Sequence, residues 1–120
     1  MKKGVWHDTN TDLLEKYPDL VLLVWAQIQK DFLLEAIEIE NKSISTLDDI
    51  YEILYPLIGS LITTNFNSIM RLLYRIDISE SKVKKGMDLM PDDTGKAIST
   101  LILKREIQKV LLRKQYSSGN

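Results

Sequence analysis

The stretch PDLVLLVWAQIQKDFLLEAIEIE, from Pro18 to Glu40, decides the fold class. Within it Val21, Trp25, Ile28, Phe32, Ala36 and Ile39 recur at steps of four, three, four, four and three, the spacing of one face of an α-helix. Pro18 suits a first helical turn, where its missing N–H is not needed. The pattern predicts a helix over Pro18 to Glu40. Its first two turns add Leu20, Leu22, Leu23 and Val24 around the whole circumference, which predicts burial on several sides and makes this segment the candidate central helix. Ala36-Ile37-Glu38-Ile39-Glu40 also alternates as a strand would, but it lies inside the longer helical period.

The flanking segments extend the helical reading in both directions. Upstream, Asn10 to Tyr17 reads as a short lead-in helix, with Asn10 as its cap and Leu13 and Leu14 as its apolar side. Downstream, Ser45 and Thr46 place a capping hydroxyl before Leu47, and Asp48 and Asp49 put carboxylates in a first turn. From there Leu47, Ile50, Leu54, Ile58 and Leu61 form a stripe that Ile62, Phe66, Ile69, Leu73 and Ile76 continue. Pro56 removes a backbone donor, which predicts a kink or a break, and Thr64-Asn65 is a second such place. The pattern leaves open whether this is one bent helix or two. Ser79 caps a short helix over Glu80 to Lys85, closed by Gly86 in a left-handed conformation, and Met87 to Asp93 reads as a connection. Asp92 and Asp93 start a last helix that runs to Gln115, leaving Tyr116 to Asn120 as a fraying tail. No repeat, low-complexity tract or linker interrupts the chain. The expected architecture is all-α, one compact bundle of about five or six helices with long second and last members. Residues 1–9 and 116–120 are expected to be mobile.

Composition bounds the function. The chain has 120 residues, 44% of them apolar, enough for one core that covers more than half of the unfolded surface. Cysteine is absent, which excludes disulfides, thiolate zinc sites and cysteine nucleophiles together. Met1-Lys2-Lys3-Gly4-Val5-Trp6-His7-Asp8 carries the charge of a signal peptide without its apolar region. The most apolar run, Leu20 to Ala26, is seven residues long, against roughly 20 for a membrane-spanning helix. A cytoplasmic protein without membrane attachment is expected. Asn41-Lys42-Ser43 matches a glycosylation sequon and reads as a chance match in that setting. The net charge of −1 hides a gradient: residues 1–60 hold 5 Lys/Arg and 11 Asp/Glu, residues 61–120 hold 11 and 6. Such asymmetry has three readings between which the sequence does not choose: an acidic face packed on a basic one within the fold, head-to-tail or two-fold self-association, or a basic surface for an anionic partner.

Candidate chemistry is sparse. His7 is the only histidine, beside Asp8 near the terminus, a poor place to hold a general base rigid. Asp31, Glu35 and Glu38 fall at helical steps and predict three carboxylates on one face. Carboxylate-bridged metal sites of helix bundles also need Glu-x-x-His pairs, which this chain lacks, so no metal site is expected. Asp93-Thr94-Gly95 matches the three-letter string of aspartic proteases, yet Pro91-Asp92 before it and Lys96-Ala97-Ile98 after it read as a helix start. Gly95-Lys96 lacks the upstream glycine and the following Ser/Thr of a phosphate loop. Met87, Leu89 and Met90 form an apolar knot, read as core filling, with an adaptable binding surface as the sharper alternative. Trp6 reads as cover for one end of the bundle or as an anchor for a partner.

The last helix is the most informative stretch. Leu103, Ile107, Val110 and Leu111 lie on one side, and Arg105, Lys109 and Arg113 step by four along another, with Lys96, Lys104 and Lys114 adding charge. Such a helix reads as an ordinary solvated face with favourable cations near a helix C-terminus, or as a surface for nucleic acid, a membrane or an acidic protein face such as that of residues 31–40; the lack of a bulky aromatic on its apolar side argues against a membrane. A sequence pI near 5.8 and the absence of a helix-turn-helix spacing before it argue against nucleic acid. These readings predict a non-enzymatic protein-interaction or regulatory module, self-associating through acidic and basic faces, with nucleic-acid binding as the alternative. The candidate contact residues are Lys104, Arg105, Lys109, Arg113, Glu35 and Glu38. Reversing Arg105 and Lys109 is expected to leave the fold intact, since both are placed away from the apolar side. No cofactor or small-molecule substrate is implied.

Overall fold

The computed structural model describes Leu14 and residues 16–118. The expected mobile start, His7, Trp6 and most of the predicted lead-in helix lie outside the described residues. What is described is all-helical and forms five helices around one core.

Helix α1 (Pro18–Leu34) begins on Pro18 and buries Val21, Trp25, Ile28 and Phe32 of the expected stripe together with Val24, while Ala36 and Ile39 lie beyond its end, exposed and half-buried. It stops six residues short of Glu40. Ala36 takes a left-handed φ of 57°. The Ala36 N–H donates to Leu33 O at 2.9 Å and the Ile37 N–H donates to Phe32 O at 2.9 Å. This is a Schellman closure, in which Ile37 folds back beside Phe32 and both are buried. The chain then runs without regular structure to Thr46, anchored by buried Ile37 and Ile44. Leu22 and Leu23 are half exposed among the described residues, so the N-terminal turns of α1 are not buried on several sides as expected.

Helix α2 (Leu47–Thr64) starts with a reciprocal capping box. Thr46 Oγ1 accepts from the Asp49 N–H, and Asp49 Oδ2 accepts from the Thr46 N–H. Pro56 lies inside this helix without ending it. Both Pro56 and Glu52 are exposed, so the carbonyl that loses its donor is on the solvent side, where water replaces the bond. The break comes instead at Asn65. Its N–H closes α2 on Leu61 O at 2.8 Å while its side chain caps helix α3 (Phe66–Arg75) by accepting from the Ser68 N–H. A second Schellman closure ends α3, with Asp77 left-handed at φ 65° and the Ile78 N–H donating to Leu73 O.

Helix α4 (Glu80–Leu89) is capped by Ser79 as expected but continues through Gly86, which is buried and helical rather than left-handed. A Cβ at Gly86 would stand 3.0 Å from Leu101 Cδ1 and would make that side chain shift, so the glycine serves close helix approach and not a turn. Asp93 caps helix α5 (Thr94–Ser118), its Oδ1 accepting from the Lys96 N–H at 2.9 Å. The helix runs three residues beyond the expected end at Gln115. Helix α5, not α1, is central: it packs on α1, α2 and α4. Ala97, Ile98, Ile102, Leu103, Ile107 and Val110 of α5 are all buried. Among the described residues no helix is long and apolar enough to cross a membrane.

Candidate functional site

The chain's most unusual chemistry lies in the seam between α1 and α5. Asp31, 4% exposed, follows Gln27 by one turn on α1, and Gln27 Nε2 donates to Asp31 Oδ2 at 3.0 Å. Across the seam Lys109 Nζ donates to the same oxygen at 2.9 Å. Glu106, one turn earlier on α5 and 0% exposed, places Oε1 3.3 Å from that ammonium. Neither Glu106 oxygen accepts a hydrogen bond. A buried carboxylate in that position is unfavourable, and the carboxyl meets it by keeping its proton. Burial first, then the neighbouring Asp31 carboxylate, push the Glu106 pKa up to about 8 against the pull of Lys109. As an acid it donates toward Asp31, which resolves its missing acceptor contacts. Asp31 is held below the ordinary carboxylate range: burial opposes this, but hydrogen bonds from Glu106, Gln27 and Lys109 prevail. At neutral pH the seam thus holds one carboxylate, one carboxylic acid and one ammonium, with no net charge. It can store a proton and tie two helices together, with the Lys109 side chain at its partly open edge.

Beside this cluster the two helices part into a groove of about 300 Å³. Leu23, Ala26 and Val110 line it with apolar surface, and Lys30, Arg113 and Lys114 stand around it. A second, shallower cleft of about 580 Å³ lies where the end of α1 meets α3. There Arg75 Nε donates to Glu35 Oε2, and Arg71 Nε stands 3.4 Å from Glu35 Oε1, so one carboxylate holds two guanidinium groups side by side. Met70 and Tyr74 complete the cleft, Tyr74 being 87% exposed.

The structure separates residues that the sequence places together. Asp31 turns into the seam, Glu35 turns to α3, and Glu38 lies exposed beyond the end of α1, so the expected three-carboxylate face does not form. Of the basic stripe, Arg113 is exposed, Lys104 is half-buried, and Arg105 and Lys109 are drawn into the fold. Arg105 Nε donates to Ile76 O at 2.9 Å, capping the C-terminal end of α3, and Nη2 stands 3.6 Å from Asp77. Both residues are therefore structural, contrary to the expectation that they lie away from the core. The Asp93-Thr94-Gly95 string is a helix cap, its Asp93 also accepting from the Tyr55 hydroxyl at 2.8 Å. Glu106 and Gln27 were not singled out from the sequence. The available signal was register: Glu106 falls three residues after Leu103 and four before Val110, an acid on the apolar stripe. Among the described residues no group of three or more His, Cys, Asp or Glu could hold a metal ion.

Among the described residues, fold and site together define a class: an all-α globule of five helices with a buried acid, acid and lysine cluster and open clefts on its surface. No family model matches the chain, and neither a curated protein nor a solved structure matches it.

Proposed function

We propose that this chain is a small non-catalytic protein-interaction module of the cytoplasm that docks a partner protein on the cleft where α3 meets the end of α1. The observation that carries this reading is the outer face of α3. Ile69, Leu72 and Leu73 turn inward, while Phe66, Met70 and Tyr74, at steps of four, are left exposed in one row. Aromatic residues, methionine and arginine are the side chains enriched at protein interfaces, and Met70, Arg71, Tyr74 and Arg75 adjoin here. Glu35 holds both guanidinium groups in place before any partner arrives, which lowers the ordering cost of docking. Leu33 and Leu34, both exposed, immediately precede Glu35 and extend the apolar ground. The nucleic-acid alternative is weakened because Arg105 and Lys109, two of the three cations in its stripe, are engaged within the fold.

A photo-crosslinking residue at Tyr74, compared with one at exposed Lys84, tests the reading. Position 74 is expected to capture a discrete protein that position 84 does not. With that protein purified, Tyr74→Ala and Arg75→Ala should each weaken binding by roughly tenfold or more, the range of an interface hot spot. Equal labelling from both positions, or an affinity indifferent to both substitutions, would count decisively against it.

A further inference from the structure

We infer that a second copy of this chain docks head to tail, seating Leu89 in the groove between α1 and the C-terminal half of α5. Leu89 is 75% exposed at the end of α4, among the most solvent-exposed large apolar side chains described. Asp88 and Asp92, both exposed, bracket it. The groove has the opposite character, an apolar floor of Leu23, Ala26 and Val110 with Lys30, Arg113 and Lys114 around it. Its volume of about 300 Å³ equals roughly ten waters at ~30 Å³ each, room enough for a leucine side chain. An acid-flanked apolar knob and a cation-rimmed apolar groove are complementary in shape and in charge.

The acid that meets Arg113 comes from Asp88 and Asp92 rather than from residues 31–40, because Asp31 and Glu35 already hold cations of their own fold. Glu38 and Glu40 are exposed as well, but neither has an exposed large apolar side chain next to it in the chain.

Position on α5 dictates the symmetry. Leu89 adjoins the start of this helix, whereas Val110 lies sixteen residues beyond Thr94, about 24 Å further along at 1.5 Å per residue. In a molecule 42 Å long, knob and groove are therefore at different ends, and one copy cannot fill its own groove. The contact is heterologous, so it propagates into short chains or closes into a ring. A single knob in a groove is a small interface, which sets the affinity on the order of 0.1 mM.

Sedimentation velocity on the full chain, from ~10 μM to ~1 mM at roughly 50 mM and 500 mM salt, tests the proposal. Association is expected to grow with concentration at low salt and to fall at least fivefold at high salt. Leu89→Ser removes the knob, and Arg113→Glu or Lys30→Glu spoils the groove. All three residues are exposed, so each variant should keep the wild-type melting temperature and sediment as a monomer. Mixing Leu89→Ser with Arg113→Glu leaves one intact groove and one intact knob, and should give a one-to-one dimer and nothing larger. A wild type that stays monomeric to ~1 mM at low salt overturns the inference. So does a Leu89→Ser chain that associates like the wild type, or a mixture that does not pair.

Discussion

Glu106 stands at the apolar stripe of α5 with no exposure, and its proton makes it compatible with that place. In the unfolded chain it ionises near its ordinary value of 4.5, whereas in the folded protein it keeps its proton to about 8. Between those values the folded state binds more protons than the unfolded one. Stability from this group is therefore full at the acid end of the window and falls as the pH rises toward 8. At roughly 1.4 kcal/mol per pKa unit the loss is on the order of 4 kcal/mol. Asp31 acts with the opposite sign: lowered in the fold, it contributes above its ordinary 3.8 and loses that contribution as the pH falls below it. Urea unfolding at pH 5 and pH 8 should show a clear drop for the wild type and a much smaller one for Glu106→Gln, which keeps the shape without the titration. Equal drops in both proteins would show that the seam does not hold this proton. Lys109 supplies the balancing cation, so the Arg105→Glu, Lys109→Glu double variant should lose at least about 3–5 kcal/mol, the cost of leaving buried charge uncompensated. A double variant with wild-type stability by circular dichroism would disprove the structural role given to both cations.

At the scale of elements, starts were legible and ends were not. Thr46, Ser79 and Asp93 all cap the helices that their side chains announce, because a cap is a local contact between a side chain and the next turn's amides. The end of α1 has no such mark. Ala36 is a good helix former that continues the apolar period, and only the docking of Ile37 beside Phe32 turns it left-handed. That conformation costs a residue with a Cβ about 1–2 kcal/mol. Ala36→Gly should therefore raise stability by about 0.5–1 kcal/mol after glycine's larger unfolded-state entropy is counted. A lower urea midpoint in Ala36→Gly would refute the left-handed closure. Gly86 misleads in the other direction: a glycine read as a helix stop is a packing residue against Leu101, a neighbour fifteen positions away.

For the whole molecule, the acidic and basic halves interleave instead of standing as opposed faces. Asp31 meets Lys109 and Glu35 meets Arg71 and Arg75, so part of the charge gradient is consumed in joining α1 to α5 and α3. The same arrangement makes α5 the hub. Native-state hydrogen exchange should find the slowest amides near Ile98 to Ile107, in the helix packed on three others, and faster ones in α1, whose outer leucines are half exposed. Slower exchange in α1 than in α5 would restore α1 to the central place that its hydrophobicity suggested.

By itself the sequence determined the fold class, the stripes of α1, α2 and α5, and the caps, since period and capping are properties of neighbours along one chain. Tertiary structure alone decided which helix is central, where α1 stops, and the fate of the charged side chains. Arg105 and Lys109 look solvent-facing on a helical wheel, yet each is half-buried by an element far along the chain, Ile76 and Asp77 for one and Asp31 for the other. Burial and pairing are set by what packs across a seam, and a residue's position in its own helix does not carry that information.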